Sequence, residues 1–324
     1  MDIVGDVITS IRTGTPIARR AALYGPWGLR FVGDPGAGFH VVLQGTAWMR
    51  PSHGGSPVEL GAGDVVFAAS GDGYALADQP GTPLSDVCVT DPAETWPLTG
   101  PPPGAEPSTL MLCGMYTLDR ARPHPLISQL PPVIRLPARA ATGDPLRSVV
   151  DLLGTELDHS GPGTSAAVPA LLDLLLIFSL RTWYDRQAAQ GATGWARALK
   201  DPPVSTALLR MHDSPASPWT VSCLAGEAGL SRTAFARRFT ELIGEPPLTY
   251  LTRWRMTLAA RLLRESDLPL ASVATRVGYG SEYAFSKAFR RALGRSPGAH
   301  RRAHRTSPTH NSCSSAPGQG AQTD

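Results

Sequence analysis

The segments Ala225-Gly-Glu-Ala-Gly229, Phe235-Ala-Arg-Arg-Phe239, Gly244 and Pro247 return in the same order as Ala274-Thr-Arg-Val-Gly278, Phe285-Ser-Lys-Ala-Phe289, Gly294 and Pro297. The Ala and first Gly positions are offset by 49 and the later ones by 50, so the copies differ by one residue placed between Gly and Phe. Self-similarity at a fixed period marks a repeated supersecondary unit, and two copies are too few for a solenoid. A paired unit is expected.

Each copy reads as helix, turn, helix. In the first, Thr220 caps a helix over 221–228, Gly229 supplies the left-handed residue that ends it, and Ser231 caps a second helix to about Ile243. Phe235 and Phe239 lie one helical turn apart and face inward, leaving Arg232, Thr233, Ala236, Arg237 and Thr240 outside. In the second, a helix over 270–277 leads into Gly278-Tyr-Gly280, a turn one residue longer, and Ser281 caps a helix to about Leu293. Its inward pair is Phe285/Phe289; its outer face carries Glu282, Tyr283, Ser286, Lys287 and Arg290. Between the copies, 247–265 reads as one helix with Met256, Ala259, Ala260 and Leu263 on a stripe. At 1.5 Å per residue it is roughly 27 Å long, close to the ~34 Å after which a DNA major groove returns to the same face.

Charge follows the same division. Residues 203–305 hold 16 Lys+Arg against seven Asp+Glu, whereas residues 1–202 hold 14 against 19. A basic C-terminal third on an acidic remainder implies a polyanionic partner. Cys88, Cys113, Cys223 and Cys313 are scattered with no Cys-x-x-Cys pair, which argues against a zinc site or a disulfide framework. Met1-Asp-Ile-Val-Gly-Asp6 carries acid where a signal peptide carries base, and the apolar run Leu171–Leu180 is too short to span a bilayer. These features imply a soluble, cytoplasmic protein with no membrane partner.

Residues 1–137 read as β-structure without a useful helical segment, their short apolar runs punctuated by some of the chain's 33 glycines and 31 prolines. Pro92–Pro107, with Pro101-Pro-Pro-Gly104, reads as a long exposed loop or an internal linker. From Asp144-Pro145 the period becomes helical, with Leu146, Val149, Val150, Leu153 and Leu157 on one face. A second helix, about 166–189, is apolar almost all round. Such a helix is buried on more than one side, either against the β-domain or in a helical dimer interface. Residues 144–190 are thus a linker or dimerisation region, 203–305 an all-helical domain, and 306–324, rich in Ser, Gly, Pro and Gln, a disordered tail.

The tandem copies, Tyr250-Leu-Thr-Arg-Trp-Arg-Met256, Val277-Gly-Tyr279 and Gly294-Arg-Ser-Pro297 resemble the AraC/XylS family of transcriptional regulators over about 205–303. His300-Arg301 stands where that family usually has Tyr-Arg. The resemblance implies a DNA-binding transcription factor with two helix-turn-helix units, 221–243 and 270–293. Thr233, Ala236 and Arg237 would then face bases in the first recognition helix, and Tyr283, Ser286 and Lys287 in the second, with Ser281 and Glu282 opening that helix at the DNA. Arg232, Arg253, Arg255, Arg290 and Arg295 would meet phosphates.

Phe39-His40 with Val42, Gly45 and Trp48, followed by Glu59-Leu-Gly-Ala-Gly-Asp64, resembles the cupin-type sensor domain of the same regulators, supported by Cys113-Gly-Met-Tyr116 and His124-Pro-Leu-Ile127. It implies a double-stranded β-helix barrel, making the chain α+β, with a small-molecule effector pocket that would include His40, Trp48 and Tyr74. Metal-binding cupins carry more ligands: here His40 stands alone and Tyr74 falls where the second-motif His would be. His40, His53 and His124 have no metal-ligand spacing, so neither metal nor cofactor is expected and His40 and His124 read as structural. The competing reading, a metal-dependent cupin enzyme with an accessory DNA module, predicts a bound divalent metal. A regulator of this kind also implies a homodimer and RNA polymerase as partners.

Overall fold

The computed structural model describes residues 2–31, 36–52, 54, 56–69, 73–87, 104–118, 124–137, 144–159 and 161–305. The readings at His53, at Cys88, over most of Pro92–Pro107 and over 306–324 (with Cys313) lie outside them.

Ten strands form two five-stranded sheets: β1 Ile17–Leu23, β2 Gly28–Phe31, β3 Ala37–Gln44, β4 Ala47–Pro51, β5 Val58–Leu60, β6 Val65–Ala68, β7 Tyr74–Ala77, β8 Ser85–Val87, β9 Thr109–Tyr116 and β10 Val133–Leu136. Their orders are β1-β9-β3-β6-β10 and β5-β4-β7-β2-β8. Pairing is antiparallel except between β2 and β8. Because side chains alternate along a strand, β3 sends His40 and Val42 between the sheets and Phe39 and Val41 outward. The interior is filled by side chains including Leu23, Phe31, Met49, Leu60, Val66, Met111 and Cys113.

The outer face of the first sheet is covered by helices α1 Ile3–Ile11, α3 Pro145–Asp158 and α4 Thr164–Ala189; α2 Pro125–Ser128 precedes β10. Helix α1 corrects the expectation of a helix-free N-terminal region. Its side chains at 3, 4, 7, 8 and 11 form one buried stripe, and Asp2 caps it by accepting from the Val4 amide at 3.2 Å. Helix α4 is 26 residues long, more than the apolar run suggests, and in length and composition it is sufficient to cross a membrane. Here it packs as a core helix: Leu172, Leu175, Leu176, Leu180 and Tyr184 are buried. The Tyr116 hydroxyl donates to the Leu172 carbonyl at 2.6 Å, and the Tyr184 hydroxyl to that of Leu126 at 2.5 Å. Leu174 (41% exposed) and, on α3, Leu152 (57% exposed) are left uncovered.

The remaining helices are α5 Trp195–Ala198, α6 Pro202–Asp213, α7 Val221–Glu227, α8 Arg232–Ile243, α9 Pro247–Glu265, α10 Leu270–Arg276, α11 Glu282–Leu293 and α12 Pro297–Arg305. One core runs without a break from Ile3 through the outer face of the sheet, α4 and α5 to Phe235, Phe239 and Trp254. A separate core begins at Met256 on the same helix α9 and takes in Val273, Ala274, Phe285 and Phe289. The first helix-turn-helix unit therefore shares its interior with the helical layer of the β-domain, and the second has its own.

A chain of polar groups, buried except for half-buried Asp6 at its end, crosses that shared interior. The Asp6 carboxylate of α1 lies 3.4 Å from Nδ1 of His212 on α6. Nε2 of His212 lies 2.6 Å from the Tyr250 hydroxyl on α9, which is 3.3 Å from Nε2 of His124, the cap of α2. Burial holds both imidazoles below their ordinary pKa; the neighbouring charges of His212 and Arg253 lower His124 further, while Asp6 works the other way on His212. The hydrogen bonds that join His212, Tyr250 and His124 spare these buried groups the penalty an orphaned one carries, about 1–3 kcal/mol each, whereas the Asp6–His212 approach is a looser ionic contact.

Candidate nucleic-acid interface

Both units are built by the same local devices. Thr220 accepts from the Cys223 amide (3.1 Å), Ser231 from that of Ala234 (3.3 Å) and Ser281 from that of Ala284 (3.1 Å), each satisfying a helix-opening donor. Gly229 and Gly278 take positive φ (+67° and +81°), and the next amides close matching bonds, Leu230 to the Ala225 carbonyl and Tyr279 to that of Ala274, both 2.9 Å. Gly280 is the inserted residue between Tyr279 and the Ser281 cap. Inward, the rings of Phe235/Phe239 and of Phe285/Phe289 each have centroids 5.6 Å apart, and all four are fully buried.

Outward, α8 presents Arg232, Thr233 and Arg237 fully exposed and Ala236 half-buried; α11 presents Glu282, Tyr283, Lys287 and Arg290 exposed and Ser286 half-buried. Tyr283 is 78% exposed, unusual for an aromatic side chain. Thr233, Ala236 and Arg237 occupy the same register positions on α8 as Tyr283, Ser286 and Lys287 on α11. Arg237 has one ionic neighbour on its own helix, Glu241 at 3.8 Å. Ser281 is spent on capping its helix. Half-buried Arg295 lies 3.5 Å from Nε2 of His304. Arg276 and Arg291 are further exposed cations that the sequence reading does not single out.

Two residues expected to meet phosphates sit elsewhere. Arg253 turns inward and pairs with the largely buried Glu245. Arg255 is half-buried, and its guanidinium donates to two backbone carbonyls, Pro215 at 2.7 Å and Ser217 at 2.8 Å; burial lowers its pKa, with Tyr279 working in the opposite direction. Both cations are committed to this chain's own groups. Arg238, beside Arg237, is likewise turned back: it binds both carboxylate oxygens of Asp201, the cap of α6, at 2.5–3.0 Å.

In the barrel, Nε2 of His40 lies 2.7 Å from the Tyr74 hydroxyl, with the Phe31 ring stacked on Tyr74 at 4.6 Å between centroids. Burial drops the His40 pKa to about 3 and pushes the Cys113 thiol, on the strand beside it, up to about 12, so both are uncharged at neutral pH. Trp48 does not join them. It projects from the other face of its sheet, over Ala75 and Ala77, because its neighbours Ala47 and Met49 take the inward positions. The three expected pocket residues therefore do not line one cavity. Among the described residues no group of three or more His, Cys, Asp or Glu side chains converges as metal ligands would.

A family model described as a cupin matches residues 2–185, and one described as a helix-turn-helix domain matches residues 224–303. The chain is 34% identical to a protein of Streptomyces lividans described as an AraC-like transcription regulator, over 89% of this chain and 94% of that one. It is 27% identical to the HTH-type transcriptional regulator AlkR of Acinetobacter baylyi, over 89% and 95% of the two chains. A solved structure of the DNA-binding domain of AdpA, a global transcriptional factor in complex with a target DNA, is 39% identical and covers 32% of this chain and 94% of that one, with a TM-score of 0.31.

Proposed function

The chain belongs to the AraC family of transcription regulators, and from that premise we propose that it reads a bipartite, asymmetric DNA site with two unlike recognition helices. The observation that carries this is the pair of exposed faces at matching register on α8 and α11, joined by the 19-residue helix α9. Thr233, Ala236 and Arg237 read one half-sequence: Arg237 takes a guanine O6/N7 edge and Ala236 a thymine methyl. Tyr283, Ser286 and Lys287 read the other. Arg232, Arg290 and Arg295 hold phosphates, which fix register without specifying sequence; Arg253 and Arg255 are not part of this set.

The protein acts in the cytoplasm, at the nucleoid, and its cupin barrel serves regulation rather than catalysis. Effector control is assigned outside the barrel interior, which Phe31, His40, Tyr74 and their neighbours fill. A cleft of about 380 Å³ between α1, α4, α5 and α6, lined by Ile3, Tyr184, Leu199 and Leu209 among others, has the size of a small-ligand site and touches both the sensor side and α6, the helix that precedes the first reading unit. The uncovered leucines of α3 and α4, with half-buried Leu171 and Ile177 beside them, form an apolar face suited to a second copy of the chain.

Selection of bound duplexes from a random library tests the central reading. Two different half-sequences about one helical turn apart are expected; recovery of a single uninterrupted motif, or of a palindrome within one protomer's footprint, would sink it.

A further inference from the structure

The guanidinium of Arg255 stands where three parts of the DNA-binding region meet. Arg255 belongs to α9, the helix that links the two reading units. Its two donors hold the carbonyls of Pro215 and Ser217, in the turn that leads into the first unit. Against the other side lies Gly278, in the turn of the second unit. A Cβ placed on Gly278 would come within 2.9 Å of the Arg255 guanidinium carbon and within 2.9 Å of both Cα and the carbonyl oxygen of Ala216. The Tyr279 side chain is close enough to Arg255 for each to influence the other's ionisation. The corresponding glycine of the first unit, Gly229, has the same backbone geometry but open space where a Cβ would go. The extra contact belongs to the second copy alone.

This matters because the two units lie in separate cores that divide between Trp254 and Met256. A continuous helix fixes the distance between what packs on its two halves. It constrains less tightly the rotation of one unit against the other, and successive base pairs are displaced by rotation as well as rise. A direct contact from turn to turn, backed by a planar cation bonded to two carbonyls at once, removes that freedom. Lysine, with one compact ammonium, cannot hold both carbonyls in the same fixed geometry.

We propose that Arg255 is a positioning residue for DNA recognition: by locking the Pro215–Ser217 turn against Gly278 it fixes the pose of the second reading unit relative to the first, and so determines which spacing between half-sequences the protein accepts. It touches no base and no phosphate. This rests on the bipartite reading above. The energetic route is effective concentration: once one unit is bound, a rigidly held second unit meets its half-sequence at high local concentration at one spacing and low at others, whereas a loosened one averages over spacings.

The test uses the full chain and duplexes carrying the selected half-sequences at the native spacing, with one base pair inserted, with one deleted, and with each half alone. Wild-type protein is expected to lose affinity about tenfold or more for either spacing change. Arg255→Ala is expected to bind the native spacing more weakly, to show a spacing penalty of only about two- to threefold, and to bind each single half as wild type does. Gly278→Ala, which disturbs the same contact from the other side, is expected to lower the penalty too, and Arg255→Lys to fall between. Should circular dichroism show Arg255→Ala unfolded, the other two variants carry the same readout. A spacing penalty unchanged from wild type in folded variants overturns the positioning role, even if overall affinity drops. Equal loss on single halves and on the bipartite duplex also overturns it, because that is the mark of a plain stability defect or a phosphate contact. If wild-type protein shows no spacing penalty at all, the bipartite reading fails first, and the proposal with it.

Discussion

Acidification from pH 7.5 to 5 is expected to destabilise the barrel through His40. Its ring is enclosed between the sheets, with Nε2 on the Tyr74 hydroxyl and Nδ1 without a hydrogen-bond partner among the described residues. The groups facing it, the rings of Phe31 and Tyr74 and, across the strands, Val66 and the neutral Cys113 thiol, offer no negative charge. Burial lowers its pKa from 6.5 to about 3, so at pH 5 the folded chain keeps it neutral while the unfolded chain protonates it. The unfolded state then binds more protons, and stability falls with pH below about 6.5. With an unfolded pKa of 6.5 and a folded one near 3, the loss at pH 5 is roughly 2 kcal/mol, against less than about 0.1 at pH 7.5. Urea denaturation at both pH values, followed by the fluorescence of buried tryptophans such as Trp27, measures it in wild type and in His40→Gln. His124 and His212, also lowered by burial, add acid losses common to both proteins. The difference between wild type and variant therefore isolates His40, and it should shift by about 2 kcal/mol between the two pH values. A difference that stays constant would mean that the imidazole is not held neutral in the barrel.

Other predictions concern the helical half and the proposed dimer face. Gly229→Ala should cost about 1–2 kcal/mol, the price of a left-handed alanine alone, whereas Gly278→Ala adds a Cβ against Ala216 and Arg255 and should cost about 2–4 kcal/mol; equal shifts in thermal melting would refute the difference in surroundings. Leu174→Glu puts charge into the uncovered face of α4 and should shift sedimentation toward monomer, while an unchanged sedimentation coefficient would remove that face as the interface. Arg237→Ala should weaken binding by about 1–3 kcal/mol and relax preference at one base pair, whereas Arg295→Ala should weaken all duplexes alike and lower the salt slope by about one. A uniform loss from both variants would take Arg237 off the base edge.

The repeat was legible because it carries its own control: a glycine, an inward phenylalanine pair and a serine cap recur in the same order at offsets of 49 and 50, so each copy checks the other. The helix joining them was legible from its stripe. Helix α1 was harder to see. Its positions 3, 4, 7, 8 and 11 have a helical period, but three isoleucines and two valines in nine residues favour a strand locally, and packing against α4, α6 and α9 decides the outcome. Arg253 and Arg255 show what a helical wheel cannot supply. Each lies on a face that looks solvent-exposed within α9, and what covers it, Glu245 or the Pro215–Ser217 turn, comes from another part of the chain. Trp48 failed for a related reason: strand alternation assigns two faces, and which one is inward depends on the partner strands. Tyr74 and His40 did meet, but as partners to each other rather than around an open pocket.

The division of cores inside α9 has a practical consequence for building hybrids of this protein. A graft joined at the start of the helical domain, near Pro202, would strip Trp195, His124 and the α1 side chains from the first reading unit and leave Tyr250 and Trp254 against water. A seam between Trp254 and Met256 falls between the fully buried members of the two clusters, so a foreign second unit that keeps Leu258, Arg264 and the glycine facing Arg255 could be carried on the native first one. Such a chimera would keep the host's cupin domain and first reading unit while acquiring new sequence preference in one half of the proposed site. An exchange within one helix would thus change half of the proposed binding site while leaving the cupin core in place, provided that Arg264 still reaches the Ser10 carbonyl of α1.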